Sequence, residues 1–325
     1  MTPLSSRRLG LACLLFATAV TSSWAQIFPG ADRLSLVIKN DATINGAHIA
    51  LGGLFGGDLN LTGNIEFGNR LGAGELGLYV GDTLTANGNQ VALFNTDAYV
   101  AATAGSVTFQ NPGLMLSSDP LPMSVTEIFN ALENESANFA SLSSNAAVAQ
   151  ASYSINGNQM TISTHAGQLN ALNLSDATAQ AFLANQNGNI IVNGLSTAGT
   201  QLVINTNGAA GSTLNFNTKT NSVSQSQASN VVWNFSGFST LAFGSSADTF
   251  RGTIFAPESA VEWRGNDIDG QVFASSYSSS QSREVHDVVY HIEFPPIPEP
   301  STFGLAALGM LGFAAATRRR RVVAI

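Results

Sequence analysis

Phe250-Arg251-Gly252-Thr253-Ile254-Phe255-Ala256 and Ile268-Asp269-Gly270-Gln271-Val272-Phe273-Ala274 share one pattern, apolar-x-Gly-x-apolar-Phe-Ala, with their glycines 18 residues apart. A single coil of a β-solenoid uses about that much chain, and its inward residues stack on the coil below. Such a coil cannot bury its inner face alone, which suits many short strands with few charges. The spacing therefore predicts a mainly β fold built as a β-solenoid. An antiparallel β-sandwich is the alternative that the same strand lengths permit.

The pattern extends in both directions. Val231 to Phe235, Leu241 to Phe243, Ala260 to Trp263 and Val285 to Phe294 read as further strands between short polar turns. Earlier, Leu34 to Ile38, Ala47 to Leu51, Leu59 to Leu61, Gly77 to Val80 and Val91 to Phe94 are apolar or alternating strips. Asn45-Gly46, Gly52-Gly53, Gly56-Gly57 and Asn87-Gly88 read as the turns between them. Ser152 to Thr164, Gln168 to Leu174, Asn189 to Val192 and Gln201 to Asn205 resume strand spacing, with a short helical stretch at Asp176 to Ala184. One long helix interrupts the series. Ser124-Val125-Thr126-Glu127 fits a capping box, and Val125, Ile128, Phe129, Leu132, Phe139 and Leu142 follow on one apolar face. The pattern predicts a helix running to about Ala149 and packed on the strands.

Composition narrows the function. Of the 13 basic residues, Arg7 and Arg8 lie near the start and Arg318, Arg319, Arg320 and Arg321 near the end. All 21 acidic residues lie between these basic ends, where the chain carries a charge of about −14. Such a surface repels phosphate backbones, so no nucleic-acid partner is expected. The one cysteine, Cys13, precedes the strand-rich body, which excludes disulfides, thiolate metal sites and cysteine nucleophiles there.

Both ends read as sorting signals. Arg7-Arg8, the apolar run Leu9 to Val20 and the small residues Ser23 and Ala25 form a signal peptide over 1–25, cleaved between Ala25 and Gln26. The body then spans 26–294. At 295–301 a proline-rich segment contains Pro298-Glu299-Pro300, followed by an apolar helix over 302–317 and a basic tail over 318–325. Arg318 to Arg321 are expected to stop transfer and stay cytoplasmic. This end closely resembles the PEP-CTERM sorting signal of Gram-negative bacteria. The resemblance implies an exosortase as processing partner, a transient inner-membrane precursor, and delivery to the cell surface or the extracellular space. It also implies a setting of exopolysaccharide and biofilm.

The body carries its own resemblances. Val232-Trp233-Asn234-Phe235, then Phe250 to Pro257, then Gly270 to Ala274, with His291 and Phe294 beyond, are similar to the choice-of-anchor A domain of bacterial surface proteins. The paired glycine rungs and the helix from Ser124 are also similar to ice-binding adhesins, which implies a right-handed β-helix with one long helix alongside. An ice-binding face wants ranked Thr-x-Thr pairs, and Thr83/Thr85 is isolated.

Catalysis needs positioned acids, bases or nucleophiles. His48, His165, His286 and His291 are scattered, and on a single strand His286 and His291 would point to opposite faces. No metal ligand or cofactor is expected. Asn266 to Gly270 and Gly52 to Asp58 lack the spacing of calcium loops and read as turns. Glu258 and Glu262 receive no role. Trp233, Phe235, Phe238, Trp263, Phe273 and Tyr277 are assigned to the core. The sequence thus points to a non-enzymatic surface or matrix protein acting in adhesion, scaffolding or polysaccharide association. A carbohydrate-active enzyme and an ice-binding adhesin are the alternatives.

Overall fold

The two motif segments stack in register. In the computed structural model, which describes residues 33–244, 248–290 and 292, Phe250 and Arg251 pair with Ile268 and Asp269. Ile254, Phe255 and Ala256 pair with Val272, Phe273 and Ala274, again in parallel and at the offset of the sequence pattern. The motif glycines let backbone lie against backbone. Gly252 has φ +115°, a conformation that side chains rarely adopt, and a Cβ on Gly270 would sit 2.6 Å from the Gly252 carbonyl carbon.

The same stacking runs through the body. In spatial order the strands are Asp97–Ala104, Leu76–Thr85, Gly52–Phe55, Leu34–Ile38, Val272–Ser279, Thr253–Trp263, Val231–Phe243, Gln201–Phe216, Leu169–Asn173 and Ala149–Gln150. Each pairs in parallel with the next. A second parallel sheet repeats the order through Thr108–Gln110, Gln90–Ala92, Ile65–Phe67, Ala47–Ile49, Arg283–Val285, Ile268–Asp269 and Phe250–Arg251. Among the described residues the antiparallel pairing is the hairpin of Ser152–Asn156 with Gln159–Ser163. The fold is mainly β, with long parallel sheets consistent with a solenoid and unlike an antiparallel sandwich. The described chain thus begins in mid-stack, winds to one end, crosses to the other, and winds back until its last strands meet its first.

The crossing contains the long helix, Val125–Ser141. Ser124 Oγ accepts from Glu127 N at 3.2 Å and Glu127 Oε2 accepts from Ser124 N at 2.8 Å, completing the expected capping box. At about 25 Å the helix spans roughly five strand spacings. It ends earlier than the apolar spacing predicts. Ser141 Oγ donates to Asn138 O at 2.7 Å, Ser144 Oγ donates to Ser141 O at 3.0 Å, and Asn145 Oδ1 takes the amide of Ala147 at 2.9 Å. These local bonds compete with helix propagation, and Ala149 enters a strand instead.

The helix is needed because the first strand segments are apolar on both sides. Leu34–Ile38, Gly52–Phe55 and Val231–Phe235 are buried at every position. Val37, Leu54, Phe255 and Phe273 lie in one register row, and covering such side chains is worth about 1.5–3 kcal/mol each. Phe139 meets the Phe255 ring edge-on at 5.1 Å. The end of the helix is fixed by a buried amide ladder. Asn205 Nδ2 donates to Phe139 O at 2.8 Å, Asn234 Nδ2 donates to Ser136 O at 3.0 Å and to Asn205 Oδ1 at 2.8 Å, and Ser136 Oγ donates to Asn234 Oδ1 at 2.7 Å.

Two local expectations change. Gly52-Gly53 is not a turn but part of a buried strand. A Cβ on Gly52 would approach Leu76 O at 2.6 Å, and one on Gly53 the Phe55 ring at 2.6 Å, so the glycines serve close packing. The last described strand is Arg283–Val285, and the expected strand from Val285 does not continue over 286–290; residues 291, 293 and 294 lie outside the described residues. From His286 onward the side chains take individual partners, and Tyr290 folds against Phe139, Phe255 and Phe273. The six aromatics assigned to the core, Trp233, Phe235, Phe238, Trp263, Phe273 and Tyr277, are buried as expected. Trp233, Phe235, Trp263 and Phe273 are essentially inaccessible, and Phe216, Trp233, Phe243, Phe250 and Trp263 form one interior ring cluster.

Glu135 sits on the buried helix face, 7% exposed, and burial pushes its pKa up to about 7 despite a 3.3 Å bond from Asn138 Nδ2. Burial and the nearby Glu135 also raise the Tyr290 phenol. An acid whose pKa rises on folding favours the folded state when protonated. The stability is therefore complete below the ordinary value of 4.5 and lost as pH climbs to about 7.

Two stability measurements follow from this packing. Gly270→Ala is expected to lower the denaturant midpoint by the equivalent of about 3 kcal/mol, because the new methyl meets backbone. Glu135→Gln is expected to flatten the pH dependence of the melting temperature between pH 4.5 and 7. The difference from the parent should reach at most about 3 kcal/mol above pH 7.

Candidate functional site

Beyond the helix-covered segment, each strand pair presents an uncovered face. In Thr213-Leu214-Asn215, Thr240-Leu241-Ala242, Ser276-Tyr277-Ser278 and Thr83-Leu84-Thr85, one apolar residue points inward and its small neighbours point out. Register aligns one set of neighbours into a continuous row: Asn215, Ala242, Glu262, Ser278, Thr43, Asn60, Thr85 and Ala104. All eight are exposed or half-buried, while the adjacent inward residues Leu214, Leu241, Val261, Tyr277, Ala42, Leu59 and Leu84 are buried. Seven strand spacings give the row a length of about 34 Å.

Two depressions lie along this row and share Glu262 and Arg264. One, of 500 Å³, is lined by Gln186, Asn215, Asn217, Thr213 and Thr240; the other, of 550 Å³, by Thr43, Asn45, Thr62, Ser278 and Ser280. Arg264 Nη2 pairs with Glu262 Oε2 at 3.3 Å. Most of the lining side chains are amides and hydroxyls that offer both donors and acceptors, with Phe243 and Trp263 beside them. Thr83 lies beside Ala102 and Thr85 beside Asn60 and Ala104, so the Thr-x-Thr pair has no copy on the neighbouring strands.

The second sheet carries a charged ladder instead. His48 Nε2 lies 3.1 Å from Glu66 Oε2, and His48 Nδ1 lies 3.9 Å from Glu284 Oε1. His286 Nε2 is 3.0 Å from Glu284 Oε2, its Nδ1 bonds Asp269, and Arg251 Nε is 2.6 Å from Asp269 Oδ2. Burial disfavours charge on His286, but the bonds to Asp269 and Glu284, with the charges of Asp269 and Asp267, outweigh it and raise its pKa. His286 follows the strand Arg283–Val285 directly, and His291 lies outside the described residues. His165 is exposed and remote from the ladder in sequence and sheet.

Asp269 belongs to a strand, not to a turn, and is spent on this ladder. Asp267 Oδ1 takes the Glu284 amide at 3.0 Å, and Asp58 Oδ1 takes the Thr83 amide at 3.0 Å. Among the described residues no group of three or more acidic, histidine or cysteine side chains is arranged to hold a metal ion.

An ice-binding-like adhesive domain model matches residues 28–287, most of the chain. The chain belongs to that family. A PEP-CTERM protein-sorting motif matches residues 296–321. Neither model names the choice-of-anchor A domain. No curated protein matches the sequence. An ice-binding-like adhesive domain joined to this motif makes the chain an exported surface protein with an adhesin-like role, processed by exosortase.

The sorting residues Ala25, Gln26, Pro298, Glu299, Pro300 and Arg318 to Arg321, with the expected helix over 302–317, lie outside the described residues. Among those described, no helix is long and apolar enough to cross a membrane. The polar row was not singled out from sequence. Its signal is the recurring triplet of one apolar residue between two small ones, which strand register alone converts into a continuous surface.

Proposed function

We propose that the body is a right-handed β-solenoid that acts without catalysis, as an adhesive module binding extended extracellular polysaccharide along its exposed polar row. The reading rests on a register that runs unbroken across eight strands and places hydroxyls or amides at five of them, Asn215, Ser278, Thr43, Asn60 and Thr85. A polymer with repeating hydroxyls meets hydrogen-bonding side chains at most strand steps, so many weak bonds add along its length. The two depressions follow one another along the row and share Glu262 and Arg264, an elongated arrangement that suits a chain.

Glu262 is the one carboxylate lining either depression, and it is held by Arg264. Glycoside cleavage uses two carboxyl groups flanking the bond, and this lining supplies no second one. That favours binding over hydrolysis. The Glu262–Arg264 pair also breaks the uncharged regularity that an ice lattice would meet, which favours a polysaccharide over ice. In the proposed order of events the signal peptide over 1–25 is removed after Ala25. The apolar segment over 302–317 and the basic tail over 318–325 hold the precursor in the inner membrane, and exosortase acts at the Pro298-Glu299-Pro300 segment. Domain 26–294 then reaches the surface or the biofilm matrix, where scaffolding follows from polymer binding.

Binding of the processed protein to purified exopolysaccharide tests this reading. Replacing Asn215, Thr240 and Ser278 together by Ala should weaken binding about 30-fold, the loss of two or three bonds near 1 kcal/mol each, with little change in melting temperature. Undiminished binding by the triple variant would contradict it. Thermal hysteresis in the parent protein would move the function to ice.

A further inference from the structure

We infer that the stack pairs end to end with a second copy of the same chain through its terminal coil, Asp97 to Leu116. Both sheets stop at this coil. Asp97–Ala104 pairs only with Leu76–Thr85 among the described strands, and Thr108–Gln110 only with Gln90–Ala92. The segment Leu114 to Leu116 covers the outer edge of Ala98, with Ala98 N donating to Leu114 O and Leu116 N to Ala98 O, both at 2.8–2.9 Å. From Val100 to Ala104 the outer edge has no partner among the described residues.

Three observations select a second copy as the occupant. First, the exposed large hydrophobic residues of the described chain, Phe94, Leu114 and Met115, all lie here, at 40%, 58% and 41% exposure. They share one corner, since a Cβ on Gly113 would touch Asn95 O at 2.5 Å and Asp97 Oδ1 takes the Leu114 amide at 2.9 Å. Second, residues 98–118 contain no charged side chain. Exposed strand edges are usually protected by charge or proline, and the outer edge from Val100 to Ala104 has neither. Third, the rest of the body is strongly acidic, so two copies repel each other except where both are uncharged. This coil meets that condition against itself.

The other end of the stack does not offer a matching surface. There the chain turns into the antiparallel hairpin Ser152–Asn156/Gln159–Ser163, and the strand Ala149–Gln150 is only two residues long. Pairing is therefore isologous, terminal coil to terminal coil, and closes at two copies. Free N–H and C=O groups on one edge satisfy those on the other, and the apolar corners are covered. The dimer joins two polar rows end to end, because Ala104, the last residue of the row, stands at the joint.

Sedimentation equilibrium of the processed protein tests the proposal. A dimer is expected at micromolar concentration, and Leu114→Lys/Met115→Lys should weaken it at least tenfold while the melting curve stays unchanged. The body has no cysteine, so Thr103→Cys provides a second readout. It should oxidise to a disulfide-linked dimer, whereas Ser154→Cys at the opposite end should not. A monomer at all concentrations, a dimer indifferent to the two lysines, or open filaments linking Ser154→Cys ends would each overturn it.

Discussion

The structure depends on one seam, where the start of the described chain pairs with its end. Leu36, Val37 and Ile38 lie beside Val272, Phe273 and Ala274, and Ala42 to Ile44 lie beside Tyr277 to Ser279. On the second sheet Ala47 to Ile49 lie beside Arg283 to Val285. Without this contact there would be two short stacks, each with a raw inner edge. With it the hydrogen-bond ladders run unbroken through both halves, and the exposed row crosses from Ser278 to Thr43 without a gap. Long-range pairing of this kind carries a large loop-closure cost, met only when the neighbouring coils are already in place.

The seam explains the helix and the ladder beside it. A chain that starts in mid-stack and must finish next to its own start has to cross the body once, and Val125–Ser141 makes part of that crossing along the apolar segment. The asparagines at 205 and 234 hold its end, while Lys39 Nζ meets Glu133 Oε1 at 2.8 Å near the seam. On the second sheet His48 meets Glu284 across the same boundary, and Glu284 also holds His286 on its own side. Exposed pairs of this type add little stability each, and their contribution is to disfavour other registers.

Much of this was legible in the sequence. The offset of 18 residues between the glycine rungs reappears as the pairing register, because the glycines sit where backbone must lie on backbone. The capping box at Ser124 and Glu127 was readable because it is local. Contacts between distant segments were not. Nothing local distinguishes Gly52-Gly53 in a buried strand from the same pair in a turn, since the difference is made by Leu76, Phe55 and Phe67 packed around it. Nor does the sequence show that Thr43 will stand beside Ser278. The polar row exists only once register is set, whereas the aromatic core was visible as bulk and hydrophobicity.

The pairing of Thr43 with Ser278 is also the most direct handle on the whole account. Both side chains are exposed, in register on adjacent parallel strands, and within the Cα separation that a disulfide tolerates. The double substitution Thr43→Cys/Ser278→Cys in the cysteine-free body should oxidise within one chain, seen as a compact band on non-reducing electrophoresis of the monomer. Failure to form that bond, with both thiols still reactive in the folded protein, would contradict the seam and the continuous row built on it.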